Sequence, residues 1–168
     1  GRTLVHIGSS DHEGATAFAI YAVRVDDGAT RKLTDSDRPH DGVEYSPDGD
    51  WLYFNSERAS EVPGHSQLFR MRPDGADVEQ LTSDGRVNWF PHLSPHGGRL
   101  VYLSYAPGVQ GHPANEPVVL RVADADGRNG WDAVELFGGQ GTINVNSWAP
   151  DGTRFAYVEY PFRDVETG

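Results

Sequence analysis

Tyr45-Ser46-Pro47-Asp48-Gly49, Leu93-Ser94-Pro95-His96-Gly97 and Trp148-Ala149-Pro150-Asp151-Gly152 repeat one phrase three times. The glycines fall 48 and 55 residues apart. After each comes a short apolar run: Trp51-Leu52-Tyr53-Phe54, Leu100-Val101-Tyr102-Leu103 and Phe155-Ala156-Tyr157-Val158. Self-similarity at a fixed period of this size marks an array of supersecondary units, and it decides the fold class before any single residue is weighed.

Within one period the reading is strand after strand. Val43, Glu44 and Tyr45 approach the Ser-Pro-Asp-Gly turn as a short inner strand. Proline presets φ at the second turn position and glycine accepts the positive φ that a tight turn needs. Trp51 to Asn55 follows, with the mixed aromatic and aliphatic character of a strand buried on both faces. After the polar loop Ser56 to Ser66, a third strand covers Gln67 to Arg72. Pro73-Asp74-Gly75 turns it into a fourth, Val78 to Thr82. The third strand recurs at Ile20–Val25 and Val118–Val122, and the fourth at Thr30–Thr34 and Ala133–Phe137. No segment carries a helical stripe. Four-stranded antiparallel sheets repeated radially are the blades of an all-β propeller.

Naming the strands of a blade A to D from the inside out, residues 1–34 supply B, C and D. Residues 35–82 and 83–137 supply full blades, 138–160 supply A and B of a closing blade, and 161–168 are a tail. The chain thus holds about three blades, whereas closed rings have about four to eight. Half of a six-bladed ring is expected. The missing amino-terminal half of a longer protein would complete it, a reading favoured by a start in mid-motif at Gly1-Arg2-Thr3-Leu4-Val5. Alternatively, a second copy would.

The aromatic residue before Ser-Pro-Asp-Gly, the strand after it, the Asp-Gly hairpin and the closing Leu-Thr resemble the TolB-type β-propeller. The likeness is best over 41–82 and 89–137. Gly138-Gly139-Gln140-Gly141-Thr142 and Trp89-Phe90-Pro91-His92 are similar to a branch of uncharacterised bacterial six-bladed members that are considerably longer than this chain. His96 and Ala149 depart from the phrase, and neither change should break its turn. The resemblance implies a binding scaffold engaging a protein or a small polar ligand, as TolB does with its partners. It also admits an enzyme, because oligogalacturonate lyases share the architecture and use a channel-bound divalent ion held by histidines and a glutamine. Fold alone does not choose between them.

Composition excludes several classes. With no cysteine, neither a disulfide framework nor a thiolate metal site exists, which suits periplasm or cytoplasm equally. A net charge of −11 argues against a nucleic-acid partner. No apolar run approaches the ~20 residues that span a bilayer, so membrane insertion is not expected. No Gly-x-Ser-x-Gly elbow supports nucleophilic catalysis. Asp124 to Glu135 imitates a calcium loop but carries Arg128 and Asn129 at decisive places, and reads better as a hairpin.

Position in the repeat nominates the site. Residues that match from blade to blade are structural, and unlike residues in matched rows carry individuality. The rows at the start of the inner strands set Asp41 beside Trp89 and Asn144, Gly42 beside Phe90 and Val145, Val43 beside Pro91 and Asn146, and Glu44 beside His92 and Ser147. Asp41, Glu44, Trp89, His92, Asn144 and Asn146 are therefore the expected ligand-binding cluster at the channel mouth. The bland alternative is that they cap strands and join blades. His40, His92 and Gln140 are the candidate divalent-metal ligands, with His112 a further histidine to compare. On that reading His92→Ala would lose metal at little cost in stability. The loops Ser56–Ser66 and Ala106–Pro117 are long enough to carry binding. A non-catalytic binding scaffold is the expected function, with a metal-dependent carbohydrate-active enzyme as the alternative.

Overall fold

A computed structural model describes residues 2–12 and 15–161, so most of the tail 161–168 lies outside the described residues. Three antiparallel sheets stand side by side, in chain order and unclosed. The first is β1 (Thr3–His12), β2 (Ala15–Arg24) and β3 (Thr30–Lys32). The second is β4 (His40–Tyr45), β5 (Leu52–Ser56), β6 (Gln67–Met71) and β7 (Glu79–Gln80). The third is β8 (Val87–Leu93), β9 (Arg99–Tyr105), β10 (Ala114–Asp124) and β11 (Trp131–Gly139). The described residues include no helix, hence none long and apolar enough to cross a membrane. The architecture is the expected all-β arc of about three propeller blades.

The two strands expected within 138–160 are much reduced. They form a hairpin with one β-bridge, Trp148 to Phe155, around the turn bond from Gly152 N to the Ala149 carbonyl (2.8 Å). Beyond the bridge the second arm bonds back to the first arm, to the preceding loop and to β11, with Ala156 N donating to Ser147 O (3.1 Å), Val158 N to Thr142 O (2.9 Å) and Tyr160 N to Phe137 O (2.8 Å). Loop 106–117 is also shorter than expected, because β10 begins at Ala114.

The repeated phrases explain themselves in hydrogen bonds. Ser46 Oγ accepts Trp51 N (2.9 Å), and Gly49 N donates to the Ser46 carbonyl (2.9 Å). Ser94 repeats both bonds, with Arg99 N (3.1 Å) and Gly97 N (2.8 Å). His96 and Ala149 therefore leave their turns intact, because the closing bond is between backbone groups. The Leu-Thr signature joins strand to strand and blade to blade. Thr34 Oγ1 accepts Ile20 N (3.1 Å) and Thr82 Oγ1 accepts Leu68 N (2.9 Å), each tying an outer strand to its neighbour. The carbonyls of Leu33 and Leu81 lie against the hairpin glycines of the following sheet. A Cβ on Gly75 would come within 2.7 Å of Leu33 O, and one on Gly127 within 2.3 Å of Leu81 O.

Alternation then fills the joints. Leu52 and Phe54 of β5, with Phe69 and Met71 of β6, pack on Ile20, Ala22 and Leu33 of the first sheet. Tyr53 and Leu68, from the opposite face, pack on Leu93, Leu100 and Tyr102 of the third. All of β5 is buried, as its composition required. A third cluster sets Trp89, Val101, Leu103 and Leu120 against Ile143, Trp148 and Phe155.

Both ends of the arc stay open. At one end a cavity of about 470 Å³ is walled by Val122, Trp131, Trp148, Phe155 and Tyr157, with Trp131 46% and Tyr157 40% exposed. At the other end Leu4 is exposed.

Candidate functional site at the inner strands

The inner strands β4 and β8 share an irregularity. Asp41 pairs with Asn55 and Glu44 with Tyr53, so two residues, Gly42 and Val43, oppose one. In β8 the same extra residue lies between the Trp89–Leu103 and His92–Val101 pairs. Gly42 and Phe90 occupy one row of the repeat, and both are left-handed, with φ of +61° and +56°. Glycine adopts that conformation freely, whereas an aromatic residue does so at a cost that its surroundings must offset. Asn55 contributes to that offset. Its Oδ1 accepts Phe90 N (3.1 Å) and lies where a Cβ on Gly42 would fall, 2.5 Å away. Bulges re-aim neighbouring side chains, and these two re-aim the rows that flank them.

The six expected mouth residues separate into two groups and one outlier. Asp41 and Trp89, before the bulges, meet His112 from the loop 106–113. The His112 ring stands edge-on to Trp89 (4.4 Å between centroids) and Phe90 (5.3 Å), with Nε2 3.9 Å from Asp41 Oδ2. Trp89 Nε1 and His112 Nδ1 are both buried without a hydrogen-bond partner.

Glu44, His92 and Asn146, beyond the bulges, form a clasp across three successive inner segments. Glu44 Oε1 accepts Leu93 N (2.7 Å) and Asn146 Nδ2 (3.2 Å), while Oε2 lies 2.8 Å from His92 Nδ1. His92 Nε2 donates to the Ile143 carbonyl (2.8 Å), and Asn146 Nδ2 also reaches Leu93 O (2.9 Å). Trp148 Nε1 closes the clasp on the His92 carbonyl (3.1 Å). Asn144 stands apart, exposed, with Oδ1 accepting Gly141 N (2.9 Å).

The candidate metal ligands do not fit a divalent ion. Both ring nitrogens of His92 are engaged in the clasp. Gln140 is exposed, with its backbone N donating to Pro113 O (3.0 Å). His40 is 1% exposed, edge-on to Phe54, with neither ring nitrogen bonded. Burial, reinforced by the nearby Arg58 charge, lowers its pKa to about 4. Among the described residues no group of three or more His, Cys, Asp or Glu could hold a metal.

Sequence reasoning missed Asn55, Phe90 and the full part played by His112. The signals for the first two were present: an amide ending an otherwise apolar strand, and a glycine matched to a phenylalanine in one row. Nothing in the sequence brought loop residue His112 to Asp41.

The profile of the TolB beta propeller domain matches residues 3–112. The chain belongs to the TolB β-propeller family. An uncharacterised protein of Agrobacterium fabrum, Atu1656, is 42% identical over 160 residues, which are 95% of this chain and 52% of that protein. A provisionally assigned TolB structure from Agrobacterium tumefaciens superposes with a TM-score of 0.86 at 40% identity, over 96% of this chain and 56% of that one. This TolB-family chain thus spans about half the length of these relatives. An oligogalacturonate lyase in complex with manganese shares the fold, with a TM-score of 0.59 at 18% identity over 90% of this chain and 42% of that one.

Proposed function

We propose that this chain forms part of a non-catalytic binding propeller that engages a protein or a small polar ligand at the channel mouth. The observation that carries the reading is the meeting of Asp41, Trp89 and His112 at the strained Phe90 bulge. A half-buried carboxylate beside buried aromatic rings, with Trp89 Nε1 and His112 Nδ1 lacking partners, suits recognition, and the strain at Phe90 marks the kind of place where function is concentrated. Membership of the TolB family supports a scaffold. The clasp of Glu44, His92 and Asn146 holds the inner segments in register beneath the mouth.

The test is selection of displayed peptides on the whole chain, followed by Asp41→Ala and His112→Ala. Peptides whose affinity falls at least about tenfold in both variants, with circular dichroism unchanged, are expected. Binders indifferent to both substitutions would overturn the reading, and no binders at all would overturn its protein-partner form. A parallel Mn²⁺ titration addresses the enzyme alternative. Stoichiometric micromolar binding abolished by His92→Ala in a variant whose circular dichroism shows it still folded would favour it over the scaffold.

A further inference from the structure

We infer that the joint between the first two sheets binds a small inorganic anion of the size of chloride, held between the His40 ring and the Arg58 guanidinium. The two side chains meet at the start of β4. His40 pairs across the sheet with Ser56, and Ser56 Oγ accepts Arg58 N (3.0 Å). Arg58 Nη2 reaches to within 3.5 Å of Asp35 Oδ1, in the segment that leads into His40. Three polar atoms here are buried without a hydrogen-bond partner: Nδ1 and Nε2 of His40 and Nη1 of Arg58. A neutral imidazole carries an N–H, and a guanidinium nitrogen only donates, so donors from both side chains lack an acceptor. Leaving a buried donor unpaired is costly, and most costly when the group is charged.

The next joint shows what kind of partner these donors call for. The two joints match row by row: Thr34 with Thr82, Ser36 with Asp84, Arg38 with Arg86, His40 with Asn88 and Ser56 with Ser104. Their bonds match as well. Ser36 Oγ accepts Arg38 N (3.0 Å), as Asp84 Oδ1 accepts Arg86 N (3.1 Å). Asp84 then does what a serine cannot. Its Oδ1 also accepts Asn88 Nδ2 (3.1 Å), and its Oδ2 accepts Arg121 Nη1 (2.6 Å). One negative group thus serves the side chain that starts the inner strand and a guanidinium together. The other acceptor of Asn88 is Gln67 Oε1 (3.1 Å), and its row in the first joint holds Ala19. The first joint has lost both acceptors and gained the cation Arg58. What the second joint supplies from its own chain, the first takes from solution.

Size and sign follow from the same atoms. Because the donors are buried, the occupant is an ion of one or a few atoms rather than an organic acid. The nearby carboxylates do not neutralise the site. Asp35 and Glu61 are exposed, and their pairs with Arg58 (3.5 Å) and Arg38 (3.3 Å) are of little strength. After burial itself, the Arg58 charge is the main influence that keeps His40 unprotonated, with Asp35 opposing it and Lys32 adding to it. The ring therefore sits in a locally positive field. More distant charge is screened at physiological salt, where the Debye length is about 8 Å.

The probe is sodium chloride, with sodium gluconate as the bulky control anion at matched ionic strength, pH 7 and fixed protein concentration. Thermal melting of the whole chain is followed by circular dichroism. The expected result is a saturable rise in melting temperature with chloride, about 4 °C at about 300 mM for a Kd of about 10 mM. Arg58→Met removes the charged donor and should abolish the rise. Ser36→Asp places a carboxylate in the row of Asp84. It should melt in gluconate no lower than wild type and no longer respond to chloride, a rescue that a purely structural role for Arg58 would not produce. No saturable rise in wild type, an equal rise in gluconate, or a chloride response that persists in folded Ser36→Asp would overturn the inference. The wild-type and Ser36→Asp results decide it even where Arg58→Met does not fold.

Discussion

His40 shows how much one buried residue can couple stability to pH. Its ring sits at the joint between the first two sheets with neither nitrogen bonded. The equivalent residue at the next joint, Asn88, is fully satisfied. It donates to Gln67 Oε1 and Asp84 Oδ1 (both 3.1 Å) and accepts Ser104 Oγ (2.7 Å). Ala19 stands where Gln67 would be repeated, so His40 lacks that partner. Because the folded pKa is depressed to about 4, the unfolded chain binds the extra proton first. This contribution is present above the unfolded value of about 6.5 and is lost as pH falls towards about 4. Urea unfolding at pH 7 and pH 5 should show wild type losing about 2 kcal/mol more than His40→Asn over that interval. Two glycines allow a second comparison at this scale. Gly49 and Gly127 have almost the same φ, +80° and +82°, but only Gly127 faces a neighbour, Leu81 O. Gly49→Ala should cost about 1 kcal/mol by thermal or urea unfolding, and Gly127→Ala at least about 2 kcal/mol more. The need for glycine at 127 was legible in the Asp-Gly turn. Its packing against the preceding sheet was not, because that contact joins residues far apart in sequence.

At the level of strands, the inner clasp changes what His92 is expected to do. Removing an imidazole that bridges Glu44 and the Ile143 carbonyl leaves polar groups unsatisfied in a site where His92 is 4% exposed. His92→Ala should therefore destabilise the chain by about 2–4 kcal/mol, where the repeat alone suggested little cost. Asn144→Ala, which removes one exposed bond to Gly141, should change stability by less than about 0.5 kcal/mol. Denaturant unfolding of both variants separates the clasp from the turn. The matched rows of the sequence correctly placed these residues on inner strands. They failed to divide them, because Gly42 and Phe90 insert an extra residue and turn Asp41 and Trp89 away from Glu44 and His92. A bulge leaves only a faint mark in a sequence when one of its two copies is a phenylalanine. Strand order, turns and blade count were readable from local chemistry, whereas the cluster of Asp41, Trp89 and His112 depends on a loop folding back over it.

Across the whole molecule, the open arc leaves Trp131 and Tyr157 exposed at one end and Leu4 at the other. Such faces are prone to association. Light scattering of the isolated chain should give a mass above 18.4 kDa, rising with concentration, and Trp131→Lys with Tyr157→Lys should lower it. A strictly monomeric wild-type chain would show that these apolar faces are too small to drive contact.

Within every sheet, hydrogen-bonded neighbours are also neighbours in sequence. Each sheet can therefore assemble as soon as its own residues leave the ribosome, without waiting for a distant strand. The next sheet then seats its hairpin glycine on a leucine carbonyl already in place, Gly75 on Leu33 and Gly127 on Leu81. Synthesis and assembly run in the same direction, and each finished blade serves as the template for the one that follows.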